Sequence, residues 1–192
     1  MKWNRWIIKA AKIITKFTEL GYWMTAALML TAGIYSFADR TFLADALTGS
    51  IRTGRLELSV LGFEFSVPTA NGIDMRAMLL YFAAAVVLPS LMAMIFRNLY
   101  LIIKRSESST VFQADNIRML REIGIFAISI PLAGLALSTV CRLILGTDTV
   151  ETSVRLYGFS MGLVILCLTQ FFARGVETVY YTHMTLPTTR RL

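Results

Sequence analysis

The sequence predicts an all-α membrane protein: a bundle of four transmembrane helices, an N-terminal amphipathic helix, and a small extracytoplasmic β-hairpin between spans one and two. Three observations carry that prediction. Hydrophobic residues make up 56% of the 192 residues, and the mean hydropathy is +0.62, above the values of ordinary globular domains. The stretches 20–38, 77–96, 123–141 and 156–173 hold no charged residue, and each approaches the roughly 20 residues a helix needs to cross about 30 Å of hydrocarbon. Lipid admits only helices or closed barrels, because every backbone polar group must be satisfied internally. These runs lack the alternation of barrel strands. The third observation is charge placement. Of the 19 Lys and Arg, the segments 1–19, 97–122 and 174–192 hold five, five and three. The positive-inside rule therefore puts those segments, and both termini, in the cytoplasm.

The chain reads as one membrane domain. Segment 1–19 is basic and two-faced. Lys2, Arg5, Lys9, Lys12 and Lys16 recur every three or four residues, and so do Trp3, Ile7, Ala10, Ile14 and Phe17; each set occupies one face of a helix. A basic face opposite a Trp/Ile/Phe face predicts a helix lying in the headgroup layer. Trp3, Trp6, Lys9, Lys12 and Lys16 are its interface anchors, binding the lipid bilayer. A cleaved signal peptide is the rival reading, with Ala44-Asp45-Ala46 as its A-x-A site. The length of the basic region and the intervening Asp39 and Arg40 favour an uncleaved anchor. The composition, four Lys to one Arg and no Ser, argues against an organellar transit peptide.

Span one is 20–38 and the extracytoplasmic loop is 39–76. Within the loop, "GRLELSVLGFEFSVP" alternates apolar Leu56, Leu58, Val60, Phe63, Phe65 and Val67 with polar residues. That period of two predicts a hairpin over 55–67, turning at Leu61-Gly62. A hairpin alone is marginal in water, so its apolar face is expected to cover the helix ends or a partner. Span two is 77–96, followed by a cytoplasmic loop and helix, 97–122. Span three is 123–145. The segment 146–155 is expected to be a plain, tight connection, and span four is 156–173 with a cytoplasmic tail at 174–192. Arg142 is expected to reach outward from the end of span three or to pair with Asp148 or Glu151. Gly158 and Gly162 form a GxxxG pair, and Gly134 and Ser138 a small-xxx-small pair. Such pairs let helices approach closely, for internal packing or for a homo-oligomer. Pro89 and Pro131 fall mid-span, where proline can kink a helix.

In "SSTVFQADNIRMLREIG", 108–124, Asp115 is placed to cap a helix N-terminus, and Ile117, Leu120, Ile123 and Gly124 follow at helical spacing. The helix is expected to run directly into span three. Phe112, Asn116, Arg118 and Arg121, with Arg174 from the tail, form the candidate partner surface. These residues also carry a resemblance. Phe112, Asp115-Asn116-Ile117, Arg118, Leu120-Arg121 and Ile123-Gly124, together with Phe171, Phe172, Arg174 and Gly175 at the end of span four, resemble the motifs of the DUF2975 family of bacterial four-span membrane proteins. Met119 is an extra residue within that run, and the tail is basic where the family's is often acidic. The resemblance implies a multi-pass protein of the bacterial cytoplasmic (inner) membrane. It also implies a cytoplasmic partner, a small DNA-binding regulator of the helix-turn-helix type.

The residues of chemistry are sparse. His183 is the one histidine, and Cys141 and Cys167 are the two cysteines, both in spans. The sequence lacks HExxH, GxSxG and P-loop motifs, and no Asp, Glu or Lys lies within a span core, where proton relays place them. The expectation is a non-enzymatic protein with no cofactor, no metal and no direct contact with nucleic acid. A small transport, immunity or envelope-stress protein, acting through the outer hairpin or the bundle interior, is the alternative.

Overall fold

The computed structural model describes residues 2–38, 55–60, 63–68, 75–106, 114–145, 151–154 and 157–184. These form helix α1 (Lys2–Ala38), strands β1 (Arg55–Val60) and β2 (Phe63–Pro68), helices α2 (Met75–Ser106) and α3 (Ala114–Leu145), strand β3 (Glu151–Val154) and helix α4 (Tyr157–Met184). Helices α2, α3 and α4 are each long and apolar enough to cross a membrane. The apolar part of α1 does not meet that measure, because Gly21, Tyr22, Trp23, Thr25, Thr31, Gly33, Tyr35 and Ser36 dilute it.

The expected boundary between an interfacial helix and span one is not there. Helix α1 is one element of 37 residues, about 55 Å at roughly 1.5 Å per residue. No proline interrupts residues 2–38. The hydroxyls of Thr15, Thr18 and Thr25 donate to the carbonyls of Ala11, Ile14 and Gly21, so these polar side chains are satisfied within the helix. The side chain of Trp3 lies outside the described residues; Trp6 is 80% exposed.

The helices pack in chain order: α1 on α2, α2 on α3, α3 on α4. Helix α2 is the centre of the row. Ala77, Ala84, Ala85 and Ala93 are almost wholly buried along it, with Met78, Leu80, Tyr81 and Leu88. The α1/α2 seam is antiparallel. Lys16 sits over the Tyr100 ring, Tyr22 stacks on Phe96 at 5.7 Å between centroids, and Gly33 faces Phe82. Pro89 and Pro131 both lie inside unbroken helices, and both are buried.

The α3/α4 seam depends on small residues. A Cβ on Gly162 would lie 2.6 Å from Ile128 Cγ1 and 3.0 Å from the Gly124 carbonyl oxygen; a Cβ on Gly124 would lie 2.7 Å from Leu166. Gly134 and Ser138 on α3 and Gly158 on α4 are buried as well, and Cys141 joins the core formed with α2. Gly162 of the GxxxG pair thus packs within the chain, with Gly124 as its partner.

The three strands form one antiparallel sheet in the order β1-β2-β3. The register sets Leu56 opposite Val67, Leu58 opposite Phe65 and Val60 opposite Phe63, so the alternating apolar positions share one face. Leu58 and Val60 join the core formed by Ala77, Leu80, Tyr81 and Ile130, whereas Glu57 and Ser59 on the opposite face are exposed. Residues 151–154, expected to be plain connection, instead supply the third strand. Phe63 pairs with Val154 and Phe65 with Thr152. A two-stranded hairpin leaves a row of unpaired backbone groups on each edge. The connection between α3 and α4 passes that edge and pairs with it.

The helix seam predicts a graded glycine series. Gly162→Ala should lower stability by about 1–3 kcal/mol through overpacking. Gly21→Ala, with nothing within 4 Å of its Cβ, should be neutral or stabilise by up to about 1 kcal/mol. Thermal unfolding of the two variants in detergent reads the difference; equal melting points would mean that the α3/α4 approach is not this close.

Candidate functional site

The side-chain ion pairs of the described helices lie at the end opposite the sheet. Lys16 aligns with Tyr100, Asn98 bonds Glu122, and Arg105 bonds Asp115. These contacts put Lys9, Lys12, Lys16, Arg97, Lys104, Arg105, Arg118 and Arg121 at one end of the row, called here the basic end.

Two polar clusters organise it. Between α1 and α2, the Lys16 ammonium donates to Glu19 Oε2 at 2.9 Å and lies 5.2 Å from the centre of the Tyr100 ring. The Glu19 side chain is 8% exposed and that of Lys16 is 56% exposed. The ion pair thus joins a buried carboxylate to a lysine that stays largely in solvent. Between α2 and α3, Glu122 accepts two hydrogen bonds: Asn98 Nδ2 donates to Oε2 at 3.0 Å and Arg118 Nε to Oε1 at 3.1 Å. Arg105 Nη1 donates to Asp115 Oδ2 at 2.8 Å, about two turns further out.

Asp115 therefore does something other than the expected capping. Helix α3 begins at Ala114, so Asp115 lies inside the first turn. There its charge still favours the positive helix end, and its carboxylate reaches across to α2. Glu122, through Asn98, ties α3 to α2 as well. The signal for both was in the spacing: 115, 118 and 122 fall on one face of a helix. So do Arg97, Leu101 and Arg105, four residues apart.

A pocket of about 380 Å³ opens between α2 and α3 at this end. Arg97, Arg105 and Arg118 line it, with Asn98, Asp115 and Glu122 between them. Met94, Leu101 and Met119 supply apolar lining. A second pocket, of about 350 Å³, lies between α3 and α4, lined by Arg121, Ile125, Leu166, Cys167, Thr169 and Gln170.

The residues expected to form one partner surface are thus divided. Arg118, its side chain 78% exposed, faces the first pocket. Arg121 is exposed and faces the second. Asn116 is 5% exposed and belongs to the interior. Arg174 is exposed on α4, and Phe112 lies outside the described residues. Cys141 is buried and Cys167 exposed, both as free thiols. Compared with protein-family models, curated proteins and solved structures, the chain matches none of them. The family resemblance rests on its motif residues alone.

Asn98 is 6% exposed, so leaving it unbonded costs about 1–3 kcal/mol. The Arg118 side chain is largely in solvent, where an ion pair contributes about 0–1 kcal/mol. Glu122→Ala should therefore destabilise the protein by about 1–3 kcal/mol, and Arg118→Ala by less than about 1 kcal/mol. Denaturation of the two variants side by side checks the order; a larger loss for Arg118→Ala would reverse the assignment.

Proposed function

We propose that the chain is a four-span protein of the bacterial cytoplasmic membrane. In this proposal both termini are cytoplasmic, and the protein is a non-enzymatic sensor or sequestering partner of a small cytoplasmic helix-turn-helix regulator. The observation that carries the membrane half is the separation of charge along the row: the basic residues of the described helices, Arg76 and Arg142 excepted, collect at one end, and the apolar lengths of the helices lie between them and the sheet. Under the positive-inside rule the basic end is cytoplasmic and the sheet is outside.

Helix α1 serves as the remaining span. It lies antiparallel along α2 from Lys16 against Tyr100 to Gly33 against Phe82. It also presents Met24, Leu28, Leu30 and Ile34, each at least 51% exposed, a face that hydrocarbon would cover. Tyr22 and Gly33 pack against α2, and the exposed Thr25 and Thr31 hydroxyls donate to carbonyls of their own helix, which lets a helix of lower mean hydropathy lie in a bilayer. Residues 2–16 continue the same rod into the cytoplasm.

The regulator half is supported by the resemblance and by the exposure of Arg118, Arg121 and Arg174 at the basic end. The split of Arg118 and Arg121 between two pockets makes the docking surface broad: it would span α2, α3 and α4. The alternative, action through the outer sheet or the interior, finds less support. The strands already have a role in covering helix ends, and the core they cover is packed with Leu, Ile and Ala.

Two measurements test these halves separately. With cysteines introduced at Ser59 and Lys9 in a cysteine-free background, a membrane-impermeant maleimide should label position 59 in intact spheroplasts and position 9 only after lysis; the reverse pattern would overturn the topology. Gentle detergent pull-down of the tagged protein from its own cells should recover a small DNA-binding protein that is lost in Arg118→Glu/Arg121→Glu, at unchanged membrane level. Recovery of the bait alone would leave these arginines as orientation signals.

A further inference from the structure

The pocket between α2 and α3 lies where the apolar helices begin. On α2 the charge-free run 77–96 ends and Arg97 follows at once; on α3 Glu122 immediately precedes the charge-free run 123–141. The pocket is lined by Arg97, Arg105 and Arg118 beyond that border and by Met94 within it. In a membrane this is the level of lipid phosphates.

The guanidinium groups are partly held in place. Arg105 is tied to Asp115 at 2.8 Å and Arg118 to Glu122 at 3.1 Å. A guanidinium has five N–H donors, so the Glu122 pair does not use up the capacity of Arg118. Arg97 makes no ion pair among the described residues. Three arginines face two carboxylates, which leaves the pocket net positive. Arginine forks match the oxygen geometry of a phosphate, and basic pockets between membrane helices on the cytoplasmic side suit anionic headgroups. Met94, Leu101 and Met119 give the same pocket an apolar wall, against which glycerol and the first acyl carbons can lie.

We infer that this pocket binds the phosphate of an anionic phospholipid headgroup, with Arg97 as its principal donor and Arg118 and Arg105 as supporting ones. The inference rests on the membrane reading above, and the two fail in different measurements.

The test is native mass spectrometry of the full-length protein released from detergent. Phosphatidylglycerol and phosphatidylcholine with the same acyl chains are titrated in turn. The wild type should bind phosphatidylglycerol about tenfold or more tightly than phosphatidylcholine. Arg97→Gln should weaken phosphatidylglycerol about fivefold, and Arg97→Gln/Arg118→Gln should erase the preference. Arg142→Gln, which removes the same charge at the sheet end, should leave it intact; melting temperatures identify any variant that has not folded. Equal binding of the two lipids by the wild type would overturn the proposal, as would equal losses in Arg97→Gln and Arg142→Gln. Displacement of phosphatidylglycerol by low-millimolar inorganic phosphate, with phosphate retained on the protein, would give the site to a free anion and overturn the lipid assignment. Cell fractionation before extraction keeps the readings apart. A chain found in the soluble fraction overturns the membrane reading, whereas a membrane-bound chain without lipid preference overturns only the pocket.

Discussion

Close approach between helices is the constraint on which the rest depends. Lipid tails are as apolar as leucine, so packing apolar helices together in a bilayer gains little from the hydrophobic effect; van der Waals contact and hydrogen bonds have to do it. Contact grows as backbones approach, and backbones approach only where side chains are small. The alanines of α2 and the Gly124/Gly162 crossing of α3 on α4 meet that requirement. Each helix then finds its register from what stands beside the small residues: Phe82 against Gly33 on one seam, Ile128 and Leu166 against the glycines on the other.

The two ends of the row are finished by different means. At one end the polypeptide folds a sheet over the helices, and Val60 and Leu58 extend the core upward from α2. The third strand comes from a distant part of the chain, the connection after α3. Its pairing with β2 links the α1–α2 connection to the α3–α4 connection. At the other end the described residues form no strand. Side chains do the joining: Glu122 holds Asn98 and Arg118, Asp115 holds Arg105, and Glu19 holds Lys16 beneath Tyr100. Each carboxylate ties up one basic group and leaves the surplus of positive charge outward.

This division fits the proposed orientation. A surface of ion pairs and exposed arginines, with pockets on both sides of α3, can take an anionic headgroup and present the remaining charges to a cytoplasmic protein. Helices α1 and α4 occupy the edges of the row, and each turns a wide apolar face away from its one neighbour. Hydrocarbon is the covering such faces require in the proposed setting.

Local pattern determined most of the fold. Long charge-free runs required helices, because only a helix satisfies its own backbone in lipid, and period-two alternation set the inward positions of Leu58 and Val60. The positions of Gly134, Ser138, Gly158 and Gly162 announced close packing. What sequence left open were choices that belong to pairs of elements. Whether GxxxG met another copy or α3 depended on Gly124, 38 residues away from Gly162. Whether 151–154 was a strand depended on a free edge of β2, since four residues have no strand signal of their own. Arg118 and Arg121 looked like one surface because they are three residues apart, yet α2 and α4 flank α3 and draw the two arginines into different pockets. Asp115 and Glu122 could be placed on a helix face, but only packing decided that the face met α2. The sequence by itself determined which segments must be helical or extended and which end carries the charge, because those follow from solvation of each segment alone. Partners, registers and pockets were decided by tertiary structure, because each is a contact between residues that the chain keeps apart.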